Sequence, residues 1–473
     1  MAFTSFTFLL FLAVTVSFYL LLPHRFRAAL LLLASLVFYG FYAWWAPLFI
    51  LSFTAVIFFA ALGIKRSNKK GFLLLITVAG LLLALYFVLR YSDLIKTLIA
   101  SLTAGAGDRI RLVFPLGFSY YLFKSLGYLI DVYRETLEPE RHFGHLLLYT
   151  AYFPEISLGP ITAASDFLPQ IDRVKPFSSR DLSAGFFMVV WGFFKKLVFA
   201  DRLALVIAPY YGRVSSLDSG LAWFLVSFAY FIQLYLDFSG YTDISVGVSK
   251  MLGYEIKHNF NAPLVAQTMS EYWRRWHMSL YEWFSAYIFK PLQFSWRRLG
   301  RYASALAAFV TLTISGIWHD AAPGFLIWGI LMGLCVAFDA LFAKKRKKLK
   351  KKLPGWLFVG SGILATLLIN TLVLAFTRAA SARDAFFILG RIFDFKSWTQ
   401  GLPAGGLVPA LLLGLAATAA SHILEWKRPA LADGLEKMPL VLRWGILQLM
   451  LMALILFAAQ GADMVGGFIY ARF

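Results

Sequence analysis

Ser-Glu-Tyr-Trp-Arg-Arg-Trp-His-Met-Ser-Leu fills residues 270–280, and Gly-Ile-Trp-His-Asp fills residues 316–320. The stretch 270–333, which holds both words, carries two of the seven histidines of a chain that is 60% hydrophobic. Each of the two, His277 and His319, follows a tryptophan. An imidazole in apolar surroundings must find hydrogen-bonding partners or a task, because burying an unpaired polar group is costly. Whether those surroundings are a membrane is decided by the sequence on either side.

Of the 473 residues only 15% are charged, against about 25% in an ordinary soluble domain, and the mean hydropathy is +0.70. Apolar runs of about 20 residues recur along the chain, the length that spans a bilayer as helix. The chain therefore reads as an all-α polytopic membrane protein with roughly ten to twelve spans. Barrel strands alternate with period two, and these runs are continuously apolar, which excludes a β-barrel. The net charge of +20 lies in short gaps between spans, the positive-inside pattern, and so does not indicate a nucleic-acid partner. A single cysteine, Cys335, rules out an internal disulfide or a multi-cysteine metal site.

Residues 1–22 have no basic residue before their apolar core and no small-residue cleavage pattern after it, so they read as a retained first span. His24, Arg25 and Arg27 follow, and Lys65, Arg66, Lys69 and Lys70 come after an uncharged run, 28–64, long enough for two spans. Both clusters belong in the cytoplasm, which puts the N-terminus outside. Spans are expected at 71–89, 112–130 with Pro115 in its first turn, 182–199, 221–236, 302–318, 325–342, 356–376, 405–422 and 441–459. Tyr-Phe-Pro-Glu-Ile-Ser-Leu-Gly-Pro, 152–160, reads as a broken or re-entrant element, tolerated where it is buried in protein. His142 and His145 have metal-like spacing but no third ligand nearby. In 344–352 every residue but Leu349 is basic: a cytoplasmic loop that could also attract an acidic donor. No repeat or soluble domain interrupts the pattern, so 1–473 reads as one membrane domain with its motif-bearing core at about 150–343.

Within the core, 270–290 is expected to be one helix, with Ser270 as N-cap, Glu271 in the first turn and Pro291 at its end. Glu271, Arg275, Ser279 and Glu282 would form a polar stripe on it, and Tyr272, Trp276, Leu280, Trp283 and Tyr287 an aromatic one. Asp237 and Asp243, in an apolar section, either pair with arginines or act directly. His319 closes its span, and Asp320, Pro323 and Gly324 mark a break after it. Adjacent helical side chains do not face one another, which makes Asp320 a poor orienter of His319. Arg297, Arg298 and Arg301 mark an inner loop, so His319 falls at the outer end of its span and His277 before the inner loop. The two would approach one pore from opposite sides. No nucleophile elbow, zinc helix or phosphate loop occurs, so residue chemistry leaves a proton-coupled transporter and a histidine-based transferase both open.

Longer words go further. Gln-Leu-Tyr-Leu-Asp-Phe-Ser-Gly-Tyr-Thr-Asp (233–243), the Asn-Phe-Asn of 259–261, Glu-Tyr-Trp-Arg-Arg-Trp-His-Met-Ser-Leu (271–280), Gly-Ile-Trp-His (316–319) and the Phe-Pro…Gly-Pro-Ile of 153–161 resemble the bacterial branch of the membrane-bound O-acyltransferase (MBOAT) family. Alginate acetylation and, more distantly, teichoic-acid D-alanylation belong to that branch. The resemblance implies a ring of helices, with interfacial and re-entrant ones, around a central tunnel in the bacterial inner membrane. Through it an acyl thioester inside, acetyl-CoA or an acyl carrier, meets an extracytoplasmic hydroxyl on a polysaccharide or a periplasmic relay protein. His319 then corresponds to the general base and His277 to a group that positions the thioester. Asp237, Asp243, Glu271, Arg275, Trp276, Trp318 and Asp320 are candidates for contacting substrate or bracing the histidines. The resemblance calls for no metal and no permanently bound cofactor. Two departures stand out: Asp320 where the alginate-type pattern has glycine, and Met332, in Leu331-Met332-Gly333, where it has a later histidine.

Overall fold

The computed structural model describes residues 3, 5–67, 70–92, 95–96, 113–173, 178–402, 406–427, 434 and 437–457. Lys69, residue 112, residue 405 and residues 458–459 of the last expected span lie outside the described residues. Among the described residues helices dominate and no strand forms. Eight helices are long and apolar enough to cross a membrane: Ala46–Arg66, Gly71–Arg90, Ser179–Gly212, Gly220–Met251, Arg301–His319, Pro323–Lys350, Gly355–Arg378 and Leu407–Trp426. The expected ten to twelve is reached, at its lower end, only by adding the shorter apolar helices Phe6–Leu21 and Leu440–Leu456. Large apolar side chains such as Phe59, Leu81 and Val441 are exposed on these helices, an outward apolar surface suited to lipid.

Several boundaries depart from the sequence pattern. The runs 182–199 and 221–236 belong to longer helices, Ser179–Gly212 and Gly220–Met251, so Asp237 and Asp243 are inside a helix and not beyond its end. Pro115 precedes its helix, Phe118–Tyr133, because Gly117 adopts φ +70°, where an added Cβ would overlap the Ile156 carbonyl.

Packing divides the chain into two units: Met1–Phe186 with Ser245–Lys257, and Phe187–Ile244 with His258–Phe473. In the first, residues 152–160 form a buried run of turns. Glu155, within them, pairs with Lys124 at 2.6 Å, both nearly inaccessible, and accepts the Thr162 hydroxyl. Lys124 also lies 4.4 Å from the Tyr149 ring centre. That closed arrangement is what lets irregular backbone be buried.

In the second unit, Arg301–His319 and Pro323–Lys350 form a tight antiparallel pair. An added Cβ at Gly316 would come 2.5 Å from the Phe325 carbonyl oxygen, and one at Gly329 would come 2.7 Å from that of Leu312. Glycine at both crossing points lets the two backbones touch. His319 is the last residue of its helix, and Asp320 caps it in an extended conformation. The Asp320 carboxylate accepts the Ala322 N–H at 3.0 Å, and Pro323 opens the next helix. Asp320 thus shapes the reversal.

The single helix expected over 270–290 is broken. Met269–Trp273 is one short helix, capped by Thr268 and not Ser270, and Met278–Phe284 is the next. Between them His277 takes a left-handed conformation, φ 45°. The cause is non-local: residues 259–261 run antiparallel to 275–278. Phe260 bridges Trp276, Asn261 N–H donates to the Arg275 carbonyl at 3.0 Å, and Met278 N–H donates to that of Asn259 at 2.9 Å. The Asn259 side chain then accepts the Ser279 hydroxyl at 2.6 Å. The next turns pass into Lys290–Ser295, with Pro291 inside its first turn, so proline does not end the segment.

Candidate active site

The broken segment brings Trp273 and Trp276 towards the end of the Arg301–His319 helix, where they line a cavity of about 30 Å³ with His319, Trp328, Met332 and Asn370. His319 is only 5% exposed. The Trp328 ring meets it edge-on, with centres 5.2 Å apart, and Trp318 lies against it at 4.5 Å. Trp273 in turn meets Trp328 at 5.8 Å and 68°, while Trp276 stacks on Tyr272 at 5.5 Å. Met332, the departure noted in the sequence, is therefore in the wall of the histidine cavity.

His277 is fully buried behind that wall, with its ring 4.8 Å from Phe238. It lines none of the cavities described here. Burial holds its imidazole well below the ordinary pKa, and the charge of nearby His319 acts in the same direction. The two histidines are close enough for their charges to interact.

Trp273 also lines a second cavity, of about 260 Å³ and mostly apolar, between Leu280, Phe284, Phe289 and Leu312. Ser270, Arg274 and Ala340 are common to that cavity and a third of about 490 Å³, which Arg346, Lys347 and Lys350 also line. Neighbouring cavities with shared wall residues thus lie between His319 and a basic mouth: Trp273 is common to the first two, and Ser270, Arg274 and Ala340 to the last two. Trp328 and Arg346 are 18 positions apart on one helix, roughly 27 Å at 1.5 Å per residue.

The other candidates brace this arrangement. Arg275 pairs with Glu271 at 2.9 Å and donates to the Asn261 carbonyl at 3.1 Å. Asp237 and Asp243 pair with lysines, not arginines: Lys196 holds Asp237 at 2.6 Å and Asp201 at 2.8 Å, and Lys195 holds Asp243 at 2.6 Å and donates to Ser239 at 2.9 Å. A π-helical stretch, Phe194–Ala200, places both lysines on the carboxylate side. Neither carboxylate reaches the histidine cavity, although Phe238, which touches His277, follows Asp237 directly. The sequence reading passed over Lys195, Lys196, Trp328 and Asn370. A lysine pair in an apolar run, and an asparagine inside a span, were the available signals.

Residues 141–356 match the membrane-bound O-acyltransferase family, MBOAT. A probable alginate O-acetylase AlgI of Azotobacter vinelandii is 33% identical over 413 residues, covering 84% of this chain and 79% of that protein. The chain belongs to the membrane-bound O-acyltransferase family. A probable alginate O-acetylase AlgI of Pseudomonas putida is 31% identical over 411 residues, 84% of this chain and 81% of that one. A peptidoglycan O-acetyltransferase of Helicobacter pylori is 28% identical over 393 residues, 76% and 72%. Membership makes this multi-pass membrane protein an acyltransferase. An MBOAT enzyme requires an acyl donor and an acceptor, and the matched region, 141–356, contains both histidines and most of the basic mouth.

Proposed function

We propose that this acyltransferase moves an acetyl or similarly small acyl group from a cytoplasmic thioester, CoA-borne or carrier-borne, to a hydroxyl of an extracytoplasmic polysaccharide or of a periplasmic relay protein. The observation that carries this reading is the run of cavities from the basic mouth to His319. Arg274, Arg346, Lys347 and Lys350 suit the phosphates of the donor, and the apolar section suits its uncharged arm. His319 takes the proton from the attacking hydroxyl, a role that contributes roughly 10² to 10⁴ in rate. His277, neutral and behind the wall, positions the segment that carries Trp273 and Trp276. The acetyl assignment draws on the names of the alginate and peptidoglycan O-acetylating relatives. With the Lys344-led basic run in the cytoplasm, the mouth faces the inner side of the inner membrane and the N-terminus lies outside.

Purified protein incubated with radiolabelled acetyl-CoA is expected to consume thioester when an acceptor hydroxyl, or water in its place, is present. His319→Ala should lower that rate at least 100-fold. Equal consumption by both proteins would remove His319 from the chemistry.

A further inference from the structure

The wall of the histidine cavity carries three polar groups that the protein itself leaves unmatched. The indole N–H of Trp273, the indole N–H of Trp328 and the side-chain carbonyl oxygen of Asn370 are all buried and have no hydrogen-bond partner within the protein. The residues are 7%, 6% and 1% exposed. Asn370 is oriented by its other end, since its amide nitrogen donates to the Thr366 carbonyl at 2.9 Å. Buried polar groups in folded proteins are nearly always paired, so three in one small wall need an explanation. Two other indoles of the same unit are paired: that of Trp223 donates to the Leu217 carbonyl at 2.9 Å, and that of Trp398 to the Ile392 carbonyl at 3.0 Å.

Two donors and one acceptor are the complement of the groups that meet in acyl transfer to an alcohol, a carbonyl oxygen and a hydroxyl. Trp328 packs against both His319 and Trp273, with ring centres 5.2 and 5.8 Å apart, and all three line the one cavity. Resting on the acyl-transfer reading above, we propose that Trp273 and Trp328 form the oxyanion site of this enzyme, and that Asn370 accepts a hydrogen bond from a second, non-reacting hydroxyl of the acceptor, whose attacking hydroxyl donates to His319. As the acceptor oxygen bonds to the thioester carbon, the carbonyl π pair moves onto its oxygen and is held by the two indole N–H groups. His319 receives the hydroxyl proton. Collapse re-forms the carbonyl, breaks the C–S bond and releases a thiolate, which takes the proton back from His319. Neutral indoles suit this task because they are donors only and need no counter-ion at low dielectric.

Tryptophan to phenylalanine removes the N–H and keeps the aromatic packing. Trp273→Phe and Trp328→Phe are each expected to lower kcat for acetyl-CoA consumption roughly 100- to 1,000-fold, the range for loss of one oxyanion donor. Donor KM and the binding of a non-reactive thioether analogue of acetyl-CoA should stay within about threefold of wild type, which is the split a transition-state contact requires. Trp444→Phe, at an exposed site, serves as the control. Wild-type kcat in both variants would overturn the proposal, as would weakened analogue binding in proportion to lost activity, which marks a packing role. Asn370→Leu should raise the KM of the acceptor and leave that of the donor, and the reverse pattern would overturn its part. The wild-type and His319→Ala rates test the acyl-transfer reading independently. Dependence on His319 with no effect of either indole would sink the oxyanion site alone.

Discussion

At His277 two demands meet in one residue. Its left-handed backbone costs a side-chain-bearing residue roughly 1–2 kcal/mol, and the antiparallel pairing of 259–261 with 275–278 enforces it. Its ring, meanwhile, is buried against Phe238 beside His319. Asparagine tolerates the left-handed region and valine does not. His277→Asn should therefore keep the thermal stability of wild type in detergent, while His277→Val should lose about 1–3 kcal/mol. Because both lack the imidazole, any loss of activity they share belongs to the ring and any difference to the backbone. Equal melting of the two variants would show that the break does not depend on this residue. The sequence made the histidines conspicuous, since imidazole is rare in so apolar a chain. It did not reveal how His277 is used, because the conformation is imposed by a segment 15 to 20 residues away. The lysines at 195 and 196 are hidden for a related reason: a charge inside an apolar run is legible, but its distant partners, 41 and 48 residues on, are not.

Among the elements, apolar length was enough to locate most spans, because in a bilayer a helix must satisfy its own backbone whatever its neighbours do. Breaks and extensions obey tertiary contacts and so escaped the pattern, as with the Gly220–Met251 helix, which runs on through Asp237 and Asp243 once Lys195 and Lys196 neutralise them. The pairing of Arg301–His319 with Pro323–Lys350 determines where His319 stands, and its tightness rests on Gly316 and Gly329. Gly329→Ala would put a Cβ 2.7 Å from the Leu312 carbonyl oxygen, so the helices must part. A destabilisation of about 1–3 kcal/mol is expected, together with loss of activity as the histidine cavity is disturbed. Gly360→Ala meets nothing within 4 Å and should be neutral or slightly stabilising. Thermal melts and thioester turnover on the two variants check this, and equal behaviour would mean that the close crossing is not what holds His319.

Across the whole molecule the distribution of charge makes the strongest demand. Arg346, Lys347 and Lys350 end the helix whose other end packs against His319, roughly 27 Å away along its axis. If these cations receive the donor, Arg346→Gln and Lys350→Gln should raise the donor KM several-fold, weaken its dependence on salt, and leave kcat unchanged, since exposed charges act at long range only within about a Debye length. The same residues test orientation. In a Cys335→Ser background, where no native cysteine remains, Lys347→Cys should resist a membrane-impermeant maleimide added to intact cells and react once the inner face is opened. Rapid labelling from outside would turn the mouth towards the acceptor. A basic vestibule there could not receive a cytoplasmic thioester, and the direction of transfer would have to be reversed even if His319 remained the base.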